Sequence, residues 1–223
     1  MKGSQIFLDH LKDHEVAALV VDGRLQDLFI KTDTPSPGSI FKGKADRPAK
    51  GQGGIFLSMP EGKGFLRQIK GVSQGQSFLV QVSGYAEAGK AVPVTTKLLF
   101  KSRFVIVTPE VPGLNISRSI RDEELRDRLL EFINDVLAPL TYGMILRSSC
   151  LTADFGDILE DARLVLAAAQ TVMTDDDPGP CMLLEAEGPH QMAWREWGDV
   201  DSIEKDAGCI EASGVLDQIE ALH

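Results

Sequence analysis

A mixed α+β and α/β fold with a small closed β-barrel is predicted by three observations. An Asp-Gly pair, Asp22-Gly23, lies between two apolar runs; this is the signature of a two-residue hairpin, because both turn residues need positive φ. Between residues 40 and 84, short apolar runs alternate with glycine-rich turns, the pattern of a barrel built from short strands. Beyond residue 119, strand and helix patterns alternate, which predicts an α/β layer.

Each element follows in order. Residues 15–31, EVAALVVDGRLQDLFIK, supply the two strands of the hairpin, and residues 32–39, TDTPSPGS, read as a linker. In the barrel segment the runs Ile55-Phe56-Leu57, Phe65-Leu66 and Phe78-Leu79-Val80 are separated by turns at 51–54, 60–64 and 71–75. The glycines there fit tight turns and barrel corners. A phosphate loop is excluded, since the GK[ST] ending and a following helix are missing. Residues 85–92 are rich in turn formers, and strands are predicted at Val94–Phe100 and Arg103–Val107.

A helix follows, with Asp122, Glu123 and Glu124 in its first turn, where negative charge suits the dipole. Leu125, Leu129, Phe132, Ile133, Val136 and Leu137 recur at helical spacing, and Pro139 stops the run. Gly143–Ser149 reads as a strand. Residues 157–173 read as a second helix with Ile158, Ala162, Val165, Ala169 and Val172 inward. A loop at 175–180, a strand at Cys181–Ala186 and a short helix at Val215–Leu222 complete the reading. Residues 189–209 carry no pattern that decides between states.

The chain has 223 residues, enough for one or two domains at about 150 residues each. Its net charge of −10 hides a split. Residues 1–121 carry 17 basic and 10 acidic side chains, whereas residues 122–223 carry 6 and 23. A basic front and an acidic back suit different partners, and one electropositive face suffices to bind a polyanion. No apolar run approaches the ~20 residues of a membrane-spanning helix, so no membrane partner is expected. The N-terminus lacks the apolar core of a secretory signal. Cys150, Cys181 and Cys209 are odd in number and widely spaced, which fits reduced thiols and a cytoplasmic protein. No CxxC occurs, and His10, His14, His190 and His223 show no metal-ligand spacing.

Residues 36–121 concentrate the positive charge, with 13 Lys and Arg against 4 Asp and Glu. Phe41, Phe56, Phe65, Phe78 and Tyr85 interleave with them. A positive groove with exposed rings binds single-stranded nucleic acid: cations track phosphates and rings stack on bases. The same pattern also fits phenylalanines in a core under a solvated lysine rim, and composition leaves both open. Candidate metal carboxylates are Asp154 with Asp157, Asp175–Asp177, and Asp199 with Asp201. They fall in loops and at a helix start, so they read as caps and solvated turns rather than a Mg²⁺ pair. His190, near Trp194 and Trp197, reads as a structural histidine. No catalytic constellation and no metal site emerge from the residues.

Several segments in order resemble the ribonuclease E/G family of bacterial endoribonucleases. AALVVDGRLQDLFIK is similar to the family's N-terminal hairpin. GSIFKGKADRP, GGIFLSMPEGKGFL and GQSFLVQV are similar to its S-one type OB barrel. AGKAVPVTTKLLFKSRFVIVTP, LNISRSI, EELRDRLLEF and YGMILRSS are similar to its 5′-sensor region. The ordered resemblance covers about residues 15–150, with a looser one over 178–223. It implies an RNase H-like N-terminal hairpin at 1–35, an OB-fold RNA-binding barrel at 36–84 and a 5′-sensor-like α/β region at 85–177. Residues 178–223 would be a truncated return to the RNase H-like subdomain.

The resemblance also implies roles. Phe56, Phe65 and Lys90 fall where the family contacts single-stranded RNA, with Lys63 and Arg67 beside them on the same segment. Arg147 and Ser148 fall where the family's Arg-Thr grasps a 5′-monophosphate, and a guanidinium fork with a hydroxyl suits a phosphate. Ser102 and Ile106 fall at the pocket's backbone-contact positions, although the family commonly has Gly at the first. The family's catalytic half uses two aspartates to hold Mg²⁺, followed by a cysteine motif that binds zinc between subunits. Neither is expected in this chain, which stops at His223. The expectation is thus single-stranded RNA binding without a cleavage site or cofactor of its own, as the N-terminal part of such an enzyme. A stand-alone RNA-binding or regulatory protein, a partner-binding module using the acidic back half, and a homo-oligomer stay open.

Overall fold

The computed structural model describes residues 3–49, 53–67, 71–87 and 89–221. In chain order it holds β1 (Ser4–Leu11), β2 (His14–Val21), β3 (Arg24–Ile30), β4 (Ile40–Ala49), β5 (Gly54–Met59), β6 (Gly62–Arg67) and β7 (Ser77–Val82). There follow β8 (Val92–Thr95), β9 (Phe100–Lys101), β10 (Val105–Thr108), β11 (Leu114–Ile116), α1 (Glu123–Leu137) and β12 (Gly143–Leu146). The chain continues through α2 (Phe155–Met173), β13 (Cys181–Leu184), α3 (Pro189–Glu196), β14 (Ser202–Glu204), α4 (Cys209–Ala212) and α5 (Val215–Glu220). Residues 1–33 and 187–223 form one compact unit, and residues 34–186 form another, inserted between them in the sequence.

The first unit is a four-stranded sheet in the order β14-β1-β2-β3. The predicted hairpin joins β2 to β3 through Asp22 (φ 50°) and Gly23 (φ 77°), both in the positive region that this turn requires. A further strand, β1, precedes it and pairs antiparallel with β2 across Lys12 and Asp13, also at positive φ. β14 pairs with β1 in parallel. The period-two alternation divides the sheet's residues between two apolar clusters. Phe7, Val16, Ala18 and Val20 pack on Ile210, Val215 and Ile219, whereas Ile6 and Ala17 pack on Ala193 and Trp197. Residues 189–209, undecided from sequence, hold α3 and β14. Trp197 anchors that stretch: its ring stacks on Phe29 at 4.8 Å, and its Nε1 donates to Asp27 at 3.0 Å.

Asp9 explains why β1 is not evident in the sequence. It follows Phe7 on the buried row, where alternation calls for an apolar residue. Its carboxylate instead accepts hydrogen bonds from the backbone N–H of His10, Gly208 and Ile210 at 2.8, 3.2 and 3.1 Å. Burial pushes its pKa up, but these amides outweigh that and hold it below the ordinary carboxylate value.

The second unit opens with the barrel. β4, β5, β6, β8 and β7 are neighbours in that order, and β4 closes the ring by pairing with β7. Relabelled one to five along the chain, these strands run 1-2-3-5-4-1, with the third and fifth parallel, which makes a closed five-stranded barrel consistent with an OB-fold. Phe41, Ile55, Leu57, Met59, Leu66, Val80, Val82, Val92 and Val94 fill it. β13 adds antiparallel to β4 outside the ring. The predicted strand at Val94–Phe100 is interrupted, because the buried Gln81 amide takes both the N–H and the carbonyl of Leu99, at 2.9 and 2.8 Å.

Beside the barrel in the same unit lies a sheet in the order β11-β12-β10-β9. Val105, Val107, Met144 and Leu146 pack with Leu129 and Ile133 of α1 and Ile158, Ala162, Ala169 and Val172 of α2. Asp122 caps α1 by accepting from Leu125 N at 3.1 Å. Two strand expectations shorten here. The strand predicted from Arg103 starts at Val105, and the one predicted to Ser149 ends at Leu146, giving way to a 3-10 turn at Ser148–Leu151. Gly143 is required in β12, since a Cβ there would lie 1.7 Å from the Val111 carbonyl oxygen. No helix among the described residues is long and apolar enough to cross a membrane.

Candidate nucleic-acid interface

In an OB barrel the outer face of the second and third strands and the loop between the fourth and fifth are the usual ligand surfaces. Here these are β5, β6 and the β7–β8 loop. Alternation along β5 turns Ile55, Leu57 and Met59 inward and Phe56 and Ser58 outward; along β6, Leu66 is inward and Lys63, Phe65 and Arg67 are outward. Phe56 and Phe65 are directly opposed in register, with ring centroids 5.3 Å apart. Gly54 makes room for this, because a Cβ there would lie 2.7 Å from the Phe65 ring. Phe65 also pairs with Pro93 of β8, so an apolar row crosses three strands.

The charges flank the row. Lys63 and Arg67 are exposed, and Lys63 lies 3.7 Å from Asp46. In the β7–β8 loop, Lys90 reaches Glu87 at 2.5 Å and holds that carboxyl below its usual value. Tyr85 in the same loop is exposed. Two of the interleaved phenylalanines have other places: Phe41 is fully buried in the barrel core, and Phe78 packs partly buried against it. Lys50 and Lys70 of the basic segment lie outside the described residues.

The second constellation gathers around the turn Ser102–Phe104, which precedes β10. Its three carbonyls all accept from the segment after β12. Arg147 Nη1 donates to Ser102 O at 2.5 Å, Ser149 Oγ donates to Arg103 O, and Arg147 N donates to Phe104 O at 2.8 Å. Ser102 and Arg147 are therefore in direct contact, and the exposed Ser148 is adjacent. Ile106 stands further along β10, opposite Lys101 and Ile145. Asp161 of α2 completes the turn, with Oδ2 accepting from Ser102 Oγ at 2.5 Å and Phe104 N at 3.0 Å. Sequence reasoning missed Asp161. Its signal was an acid one residue before the inward Ala162, on the edge of an apolar stripe.

Three of the acidic candidates, Asp175, Asp177 and Asp201, have local partners. Asp175 Oδ1 binds Lys42 Nζ at 2.7 Å, and this hydrogen bond holds the carboxyl below its ordinary value. Asp177 accepts from Gly179 N, and Asp201 accepts from Ser4 N, both at 2.7 Å. Asp154 occupies the cap position of α2 without a side-chain capping hydrogen bond, and Asp157 lies in that helix's first turn. These arrangements do not fit the converging carboxylate pair that Mg²⁺ needs, and no metal-binding group of three or more His, Cys, Asp or Glu occurs among the described residues. His190 serves structure: Nε2 lies 3.2 and 3.1 Å from the carbonyls of Asp9 and Val16, and the His190 backbone N–H donates to Glu15 Oε1 at 2.7 Å. Cys150 is buried, which pushes its thiol up to about 11.

Residues 100–209, which include the Ser102–Phe104 turn and both helices packed on its sheet, match the family model described as "Ribonuclease E/G family". Ribonuclease E of Nostoc sp. is 24% identical over 171 residues, covering 69% of this chain and 25% of that protein. Ribonuclease E of Synechocystis sp. is 27% identical over 165 residues, covering 66% and 24%. Ribonuclease G of Haemophilus influenzae is 25% identical over 174 residues, covering 66% and 35%. The chain thus spans about a quarter to a third of the length of the curated relatives it matches. The family-model match and these relatives together support membership of the ribonuclease E/G family.

Proposed function

We propose that this chain binds single-stranded RNA as the N-terminal, non-cleaving part of a ribonuclease E/G-type endoribonuclease that acts in RNA processing and decay. The observation that carries the reading is the Phe56–Phe65 ring pair on the outer β5–β6 face, flanked by Lys63 and Arg67. Rings accept any base by stacking, and cations follow the phosphates, so such a face binds RNA with little sequence demand. Lys90 would meet the backbone by exchanging Glu87 for a phosphate. In this reading the barrel is the RNA-binding domain and the layer behind it is the 5′-sensor-like region. The hairpin unit then corresponds to the RNase H-like subdomain.

The second part of the proposal concerns the RNA end. Arg147 and Ser148 would bind a 5′-monophosphate, with Ser102 and Ile106 forming the backing of the pocket. A terminal monophosphate carries more charge and more free oxygens than an internal phosphodiester, so a guanidinium prefers it. Cleavage chemistry and Mg²⁺ would belong to residues other than those placed here. The test is binding of short fluorescent single-stranded RNAs, alike in sequence, with 5′-phosphate or 5′-hydroxyl ends. The expected result is salt-sensitive binding of both, with a few-fold preference for the phosphate that Arg147→Ala abolishes. Salt-independent binding, or none, would sink the barrel reading; equal affinities unaffected by Arg147→Ala would sink the 5′-end reading.

A further inference from the structure

The Ser102–Phe104 turn has an unusual distribution of its polar groups. All three carbonyls face the segment after β12 and accept from Arg147, Ser149 and the Arg147 amide. Its hydroxyl and the Phe104 N–H converge from the other side on a single oxygen, Asp161 Oδ2, at 2.5 and 3.0 Å. Ser102 is thereby a bridge. Its carbonyl holds the Arg147 guanidinium, and its hydroxyl is held by the Asp161 carboxylate, 59 residues away on α2. Ser102 is itself buried, at 9% exposure, so the centre of the bridge is shielded from competing water, while Asp161 and Arg147 at its ends are half-buried. Asp161 and Arg147 both lie close enough to Cys150 to act on its thiol, in opposite senses.

From this we infer that Asp161 is a positioning residue for Arg147: through Ser102 it fixes where the guanidinium stands, and so sets the preference for a 5′-phosphate. The inference rests on the 5′-end reading proposed above. It gives Ser102 a role other than phosphate contact. A hydroxyl donated to Asp161 is turned away from a ligand, so a serine here need not crowd the phosphate as a freely rotating side chain would. It also predicts that the acceptor oxygen matters and the negative charge does not. An amide oxygen at the same place can still accept from Ser102 Oγ and Phe104 N, and losing a negative charge near an anion site is favourable to the anion.

The experiment compares wild-type protein with Asp161→Asn, Asp161→Leu, Ser102→Ala and Arg147→Ala, using the same pair of 5′-phosphate and 5′-hydroxyl RNAs. Asp161→Asn is expected to keep the phosphate preference or raise it. Asp161→Leu is expected to bring the two affinities to parity, while the affinity for 5′-hydroxyl RNA stays at the wild-type value. Unchanged 5′-hydroxyl binding reports that the protein is folded, a readout that general structural damage would not spare. Ser102→Ala, which deletes only the bridging hydroxyl, should reduce the preference in the same direction and add nothing when combined with Asp161→Leu. The inference is overturned if Asp161→Leu keeps the wild-type preference, if Asp161→Asn loses it, or if Asp161→Leu weakens both RNAs equally. A wild-type protein without any preference overturns it together with the 5′-end reading. A wild-type preference lost in Arg147→Ala but kept in Asp161→Leu removes the positioning role alone.

Discussion

Phe65→Ala is the most informative perturbation of the barrel face. The ring is half-buried, lies 5.3 Å from Phe56 and covers Gly54. Two losses follow. The first is in stability: removing a fully buried Phe costs about 3–5 kcal/mol, so a half-buried one on the outer face should cost about 1–2, part of it the ring pair itself at roughly 0.5–1.5 kcal/mol. The second is in binding: a ring that stacks on a base contributes about 1–3 kcal/mol, which is roughly five- to 150-fold in affinity. The assay is fluorescence anisotropy of a labelled oligoribonucleotide titrated at several salt concentrations, alongside urea unfolding. Because the ring carries no charge, Phe65→Ala should weaken binding by the same factor at every salt, leaving the slope of log affinity against log salt unchanged. A variant that loses stability as calculated but binds RNA like the wild type would show that the ring only covers the barrel, and the stacking argument would fail.

Three further outcomes are expected. Lys63→Ala and Arg67→Ala should each make that salt slope shallower by about 0.7, the single-strand value per phosphate contact; unchanged slopes would remove these residues from the interface. Asp9→Asn should destabilise the protein by roughly 1–3 kcal/mol, as a buried acceptor set is disturbed. Since the folded-state pKa of Asp9 is lowered, its contribution is present above the ordinary carboxylate value and lost as pH falls through the lowered one. The variant should therefore lose less stability than wild type on acidification, and parallel curves would refute the assignment. A time course with purified chain, labelled single-stranded RNA and Mg²⁺ or Mn²⁺ should show no cleavage; activity that disappears when Asp175–Asp177 or Asp199 is substituted would overturn this.

What could be read in advance was local. Asp22-Gly23 needed only its own turn chemistry, and α1 and α2 needed only their apolar period, with Asp122 capping α1. The barrel strands announced themselves by glycine turns between short runs, and Phe56 and Phe65 fell on the outward parity of neighbouring strands. What tertiary structure decided involved partners far along the chain. β1 was obscured by Asp9, a buried charge whose amide donors Gly208 and Ile210 lie 199 and 201 residues away. α3 and β14 are too short to show a period, and they are held by contacts such as Trp197 on Phe29. The first two residues of the strand expected from Arg103 belong to a turn instead, because Arg147 and Asp161, 45 residues from Ser102 and 57 from Phe104, take that turn's polar groups. A period records how a segment meets one buried face, but it carries no record of a hydrogen bond closed across distant segments. For that reason α1, α2 and the barrel were legible in the chain, and the turn bonded to Arg147 emerged only from the folded structure.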